Sequence, residues 1–334
     1  MSKPLVSTII STYNSEEFIK GRLDNLIEQT IFDRIEIIIV NSGSEQNEEF
    51  IITKYLSKHK NIKYLKTEKR ETIYKAWNRG IKISSGKYIT NANTDDRLRI
   101  DALEILLRKM EVNNDCAIAY ADQYITNIPN AALNDIKKKK KFNRLEYSRI
   151  KLFFGYLAGP QSMWRSSLHF NDDIWFDEKL EVAGDYDFVC RVAEKYPLIR
   201  VPGVLGWYYK SDQNLNKELQ NIDLTTSETY QIQDKYLRRY INSLDAENFN
   251  RFKSDIIFWT KLPKLLVGAI RKFLEKNFPA YQLPPKIFYH WTASVIEEER
   301  GNLAKSKKFC VDYNIRSSYI NMNNQIIRIN SLKD

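Results

Sequence analysis

Two adjacent carboxylates, Asp95 and Asp96, lie in the segment TNANTDDRL (90–98), just after a run of β-strand character. Like charges side by side cost free energy unless a positive group lies near them. A hard divalent cation is one candidate, because Mg²⁺ and Mn²⁺ take carboxylate oxygens and keep waters and phosphate oxygens as further ligands. Such a cation is also a Lewis acid for a departing phosphate. An acid pair before a helix equally serves as a cap or turn. Asp185 and Asp187 form a second acidic pair, at the start of a helical run in EVAGDYDFVCRVAEKYP (181–197), where acids also suit the helix dipole. No Ser/His or Cys/His arrangement points to a covalent intermediate. His59, His169 and His290 are scattered and read as surface or core residues. Cys116, Cys190 and Cys310 form no CxxC pair, which argues against structural zinc or a disulfide framework and for free thiols.

The acids gain weight from the elements that must position them. LVSTIIST (5–12), IEIIIVNS (35–42), NIKYLKT (61–67), KYITNAN (87–93) and CAIAYADQYIT (116–126) read as strands. Between them, residues 16–30, 44–59, 71–86 and 99–113 carry apolar residues at helical spacing. This alternation predicts βαβ units and a largely parallel sheet. Ligands bind such sheets outside the carboxyl ends of the strands. Three polar clusters fall at those ends: STYN, NSGS and NTDD.

The chain has 334 residues, 28% of them charged, with a net charge of +10. Residues 1–133 hold 19 basic and 18 acidic side chains, and the remainder 33 and 24. A basic second half suits phosphate-rich ligands, anionic lipid or a simple solvated surface. No nucleic-acid-binding motif accompanies it, so no nucleic-acid partner is expected. The opening residues lack the apolar core of a signal peptide, and no run reaches the roughly 18 apolar residues of a membrane span. A cytoplasmic enzyme, or one peripheral at the inner face of the membrane, is the expectation. The run Lys137–Lys141 reads as a solvated loop or a basic flap.

The ordered blocks VSTIISTYN, EIIIVNSGS, KAWNRGIKISSGKYI, NTDDR and AGDYDFVCRVA resemble the signatures of family 2 glycosyltransferases. The resemblance covers residues 4 to about 210 and implies an α/β protein of the GT-A type. Its Rossmann-like mixed, mostly parallel sheet would be flanked by helices, with the mainly helical C-terminal region beyond it. Residues 1–214 would be the catalytic domain, with 1–126 as nucleotide-binding half and 145–214 as acceptor half. Residues 215–334 would form the helical region.

Carried over by position, the resemblance places Ser11, Thr12, Tyr13 and Asn14 at the base of a nucleoside-diphosphate sugar. Asn41 and Ser42 stand where the family has an acidic pair for the base. Asn78 lies near the base and diphosphate, Asp95 at the ribose, Asp96 on Mn²⁺ or Mg²⁺, and Asp185 acts as catalytic base. Asp187 is its rival. The implied reaction is a single displacement with inversion onto a hydroxyl of a glycan or lipid-linked acceptor. Gln161 and Trp164 of GPQSMWR would meet the substrate, the tryptophan being equally readable as core.

Two departures stand out. NSGS replaces the common DDGS, and amide and hydroxyl groups both donate and accept, so uridine preference is weakened. The later strand WYYKSDQN lacks the family's metal-binding histidine and leaves Lys210 or Asp212 nearby. A catalytically inactive sugar-nucleotide-binding module is therefore the alternative reading. A nucleotidyltransferase would want a glycine- and arginine-rich loop after the first strand, which STYNSEEF does not supply. In the tail, residues 258–278 carry apolar residues at helical spacing among basic ones. They read as a helix packed on the catalytic domain or a partner subunit, or as one lying on lipid.

Overall fold

The computed structural model describes residues 3–132, 135, 140–211, 221–277, 286–312, 319–322 and 325–328. The chain divides into two compact units. One runs to Tyr147 and resumes from Leu157 to Ile222; the other joins Ser148–Tyr156 to the chain from Asp223 onward.

The first unit opens with β1 (Val6–Thr12), α1 (Glu16–Ile27), β2 (Ile35–Asn41), α2 (Glu48–Leu56), β3 (Ile62–Lys66), α3 (Ile73–Lys82) and β4 (Tyr88–Asn91). There follow β5 (Arg97–Leu98), α4 (Ala102–Val112), β6 (Ile118–Thr126) and β7 (Lys140–Phe142). The short helix α5 (Arg149–Leu152) belongs to the second unit. Then come β8 (Met163–Arg165), α6 (Ser167–Phe170), α7 (Gly184–Ala193) and β9 (Leu198–Tyr209). Among the described residues the sheet order is β3-β2-β1-β4-β8-β6-β9-β5, with β7 on β6. The β1–β2, β2–β3, β1–β4 and β6–β9 pairs are parallel, whereas β8 runs antiparallel to both β4 and β6. Two reversals restore direction, so β1, β2, β4, β6 and β9 all end at one rim.

All seven residues of β2 are buried, as a central parallel strand covered on both faces requires. Its one charge, Glu36, accepts from Ser7 Oγ at 2.6 Å and Ser85 N at 2.6 Å and pairs with Lys63 at 2.7 Å. These partners outweigh burial, which by itself pushes the carboxyl up, and hold it below its usual range. Of the lysine run, Lys137–Lys139 lie outside the described residues; Lys140 and Lys141 begin β7, and Lys141 pairs at 2.9 Å with the buried Asp122. This part of the expected loop is a strand because it pairs antiparallel with β6.

Trp164 settles in the core, correcting its expected place at the substrate. It lies among Phe176, Phe188 and His169, and its Nε1 donates to His169 Nε2 at 2.8 Å. Burial lowers the His169 pKa to about 4, which keeps the imidazole a neutral acceptor. The sign follows: the stabilisation is whole above the unfolded value of about 6.5 and is lost as pH falls toward 4, by about 3 kcal/mol in full. Urea unfolding at pH 7 and pH 4.5 should show this loss, and a His169→Gln variant, which cannot protonate, should show less of it.

In the second unit, helices Ile222–Ser243, Ala246–Lys261, Lys264–Asn277, Lys286–Glu299 and Leu303–Asp312 dominate, with a short hairpin of Tyr319–Met322 and Gln325–Arg328. The helix expected over 258–278 is broken at Pro263. Leu262 is extended (φ −64°, ψ 142°), as a residue preceding proline prefers. Arg238 ties this unit together, reaching Asp234, Glu298 and Glu299 at 2.7–2.8 Å. No described helix is long and apolar enough to cross a membrane.

Candidate active site

A cavity of about 890 Å³ opens at the shared rim. Ser11, Tyr13 and Asn14 line it from the end of β1, Ser42 from β2, Asn93, Thr94 and Asp95 from β4, and Tyr208, Tyr209 and Ser211 from β9. Arg70 to Ile73 after β3, and Glu181 before α7, complete the wall.

The β1 and β2 loops are knitted together. Asn14, in the left-handed region (φ 49°), accepts the Glu45 N–H on its side chain at 3.0 Å, and its own N–H donates to Ser44 Oγ at 2.9 Å. Asn41 accepts the Ser44 N–H at 2.9 Å and donates to Tyr64 Oη at 3.1 Å. Asn41 is therefore engaged in shaping the turn, and it is buried. Ser44 Oγ also donates to Glu48 Oε2 at 2.5 Å, and α2 begins at Glu48 rather than at Ser44. Gly43 sits at φ +64°, and a Cβ there would stand 2.8 Å from the Lys69 backbone carbon. Gly43→Ala should cost about 2 kcal/mol of stability through a strained left-handed residue and this contact; thermal melting measures it, and an unchanged midpoint would disprove the crowding.

Other expected contacts fall behind the wall. Thr12 is buried, with Oγ1 donating to Glu48 at 3.3 Å. Asn78 is a positioning residue: it donates to Phe176 O at 2.9 Å and accepts from Phe176 N at 3.1 Å, fastening a loop 98 residues away. Gln161 does not reach the cavity either. It is buried at φ +62°, accepting from Arg22 Nη2 at 3.0 Å and donating to Arg97 O at 3.2 Å.

The acidic pair is divided by burial. Asp95 faces the cavity, whereas Asp96 is fully enclosed. Asp96 Oδ1 accepts the Tyr209 N–H at 3.0 Å, joining the ends of β4 and β9. Burial, followed by the Asp95 charge, pushes the Asp96 carboxyl well above its usual range. The positive groups behind the pair are two buried arginines. Arg22 Nη1 donates to Asp96 O at 3.1 Å, and Arg97 Nη1 donates to Thr94 O at 2.7 Å and Asp96 O at 2.6 Å. Burial first, then the neighbouring Arg97, lowers Arg22 to about 9; burial lowers Arg97 to about 10. Both stay charged at neutral pH.

For a divalent cation, the wall offers the Asp95 carboxylate and Asn93 Oδ1, a buried oxygen with no partner among the described residues. Both are hard oxygen donors, and a site with few protein ligands suits Mg²⁺ or Mn²⁺ completed by water and phosphate. The donor set therefore fits, with Asp95 rather than Asp96 on the cavity side. Among the described residues no cluster of three or more His, Cys, Asp or Glu supplements it. Lys210 is exposed and does not line the cavity, and Asp212 lies outside the described residues.

Asp185 is half-buried in the first turn of α7, its Oδ1 accepting the Tyr186 N–H at 2.8 Å. It is not on the cavity wall; Glu181, four residues earlier, is. Its rival Asp187 is buried and paired with Arg191 at 2.8 Å. The residues missed in sequence are Arg70, whose guanidinium lies 4.3 Å from the Tyr13 ring centroid, and Glu181. Arg70 follows β3, a fourth strand end on the same rim, and its signal was there in the strand pattern.

A mixed, mostly parallel sheet of this order, with a cavity across the ends of its parallel strands, is the arrangement of the glycosyltransferase GT-A fold. The model of the family described as Glycosyl transferase family 2 matches residues 7–169. An uncharacterized glycosyltransferase of Methanocaldococcus jannaschii, MJ1057, is 31% identical over 201 residues, 59% of this chain and 67% of that protein. A chondroitin synthase of Pasteurella multocida is 30% identical over 192 residues, 57% of this chain but 19% of its own length. The chain belongs to glycosyl transferase family 2. Among solved structures, S. aureus TarS 1-349 in complex with UDP superposes with TM-score 0.54 at 16% identity, covering 99% of this chain and 98% of that one. Mannosyltransferase PcManGT from Pyrobaculum calidifontis, in complex with GDP-Man and Mn²⁺, gives 0.53 at 15% identity, covering 91% and 88%. These two likenesses speak for the fold alone.

Proposed function

We propose that this chain is an inverting glycosyltransferase that moves a sugar from a nucleoside-diphosphate sugar to a hydroxyl of a glycan or lipid-linked acceptor, in the building of a surface polysaccharide. The observation that carries it is one rim cavity lined by Tyr13 with Arg70 over its ring and by Asp95 and Asn93. An aromatic ring suits a base, and a carboxylate beside a spare amide oxygen suits a cation-bound diphosphate. A relative named chondroitin synthase supports the polysaccharide setting.

In this reading Asp95 and Asn93 would hold the divalent cation, which supplies neutralisation of charge on the departing diphosphate. Arg22, Arg97 and the Tyr209 N–H hold the TDD turn so that Asp95 meets the cavity. By the family resemblance Asp185, in the first turn of α7 but off the cavity lining, takes the acceptor hydroxyl proton. Glu181, on the lining four residues earlier, is the other carboxylate that could take it. The acceptor oxygen bonds to the anomeric carbon while that carbon's bond to the diphosphate oxygen breaks, and the electron pair leaves with the diphosphate. One displacement inverts the anomeric centre.

The test is calorimetric titration of uridine and guanosine diphosphates and their sugars, with and without Mn²⁺, followed by assay of diphosphate release with and without candidate acceptors. Asp95→Ala should lose metal-dependent binding. Arg70→Ala should weaken nucleotide binding about threefold, the scale of one exposed cation–aromatic contact that holds the Tyr13 ring for the base. Tight binding with no turnover of any donor would overturn the enzyme in favour of an inert binding module.

A further inference from the structure

In the second unit, helices Ala246–Lys261 and Lys264–Asn277 expose large apolar side chains. Leu265 is 87% exposed, Phe273 59%, Phe258 56% and Leu266 46%. Leu265, Ala269 and Phe273 recur every four residues and so lie along one side of the second helix, while Val267, off that line, is buried. The charge is sorted to the same stretch. Helix Lys264–Asn277 holds four basic side chains, Lys264, Arg271, Lys272 and Lys276, against one acidic, Glu275. Lys261, Lys264 and Lys272 are exposed, as is Lys276 one turn beyond. A shallow cavity of about 530 Å³ adjoins, with Ile257 and Phe258 in its lining and Lys253 and Lys261 beside them.

We propose that this face docks on an anionic lipid bilayer, with helix Lys264–Asn277 lying in the interface plane. Apolar side chains interleaved with lysines are what such a surface rewards: the former enter the acyl boundary and the latter meet anionic headgroups. A second copy of this chain is a poorer occupant. A twofold contact would set the same lysines against themselves, with Glu275 the one acidic side chain of the helix to answer its four basic ones. The inference is independent of the active-site reading, since it is tested without substrate.

The full chain should cosediment with vesicles of phosphatidylcholine containing phosphatidylglycerol and much less with phosphatidylcholine alone, and added salt should release it. Leu265→Glu with Phe273→Glu should weaken this binding at least tenfold. Lys261→Gln with Lys272→Gln should weaken it by about fivefold for each lysine removed. Both variants should melt like wild type, because the altered side chains are exposed. No partition to either vesicle, equal partition to both, or undiminished binding by either variant overturns the proposal. A dimer in light scattering that the Leu265→Glu, Phe273→Glu pair dissociates, without vesicle binding, would assign the face to a second copy instead.

Discussion

Asp185→Asn should slow sugar transfer by about 10²–10⁴-fold, the usual contribution of a positioned general base, while leaving the affinity for nucleoside diphosphate unchanged. The amide keeps an oxygen to accept the Tyr186 N–H, so the first turn of α7 keeps its geometry. It cannot take a proton from an attacking hydroxyl. Asp187 offers no substitute, because it is buried and held by Arg191. The informative comparison is Glu181→Gln, which removes the carboxylate on the cavity wall. Stopped assays of diphosphate release decide between them. Equal transfer by wild type and Asp185→Asn rejects Asp185, and a collapse confined to Glu181→Gln moves the role there.

Arg22→Met should destabilise the protein by about 3–5 kcal/mol, the cost of breaking a buried charge arrangement from one side. The methionine fills much of the space but leaves Asp96 O, Gln161 Oε1 and Asn25 Oδ1 without the guanidinium they accept from. It also leaves two adjacent carboxylates facing one buried arginine where two stood. Chemical unfolding measures the loss. Adding Asp96→Asn should recover part of it, because the amide oxygen still accepts the Tyr209 N–H while one negative charge is gone. If the double variant is no more stable than Arg22→Met, the coupling between Arg22 and the acidic pair is absent.

The first unit was legible because parallel strands buried on both faces must be written as continuous apolar runs. IEIIIVN is such a run, and its burial in β2 is complete. The three polar clusters after β1, β2 and β4 did converge on one cavity. The helix boundaries were less legible. The sequence pattern runs α2 back to Ser44, yet Asn14, 30 residues earlier, donates its N–H to that serine's hydroxyl. Pro263 falls inside the helix expected over 258–278 and separates two helices, the second starting just after it.

Residue types and their order determined which loops meet at the rim, since strand direction and right-handed crossovers leave few ways to arrange βαβ units. Only the tertiary structure decided which side chain of each loop faces inward. It turned Asp95 to the cavity and enclosed Asp96, and it spent Asn41, Asn78 and Gln161 on holding the walls. It also supplied the positive charge behind the acidic pair from Arg22, 74 residues away from the carbonyl it binds. A burial pattern along the chain reports an element's period, but the partner of a buried charge comes from whichever distant element packs against it, and spacing carries no record of that.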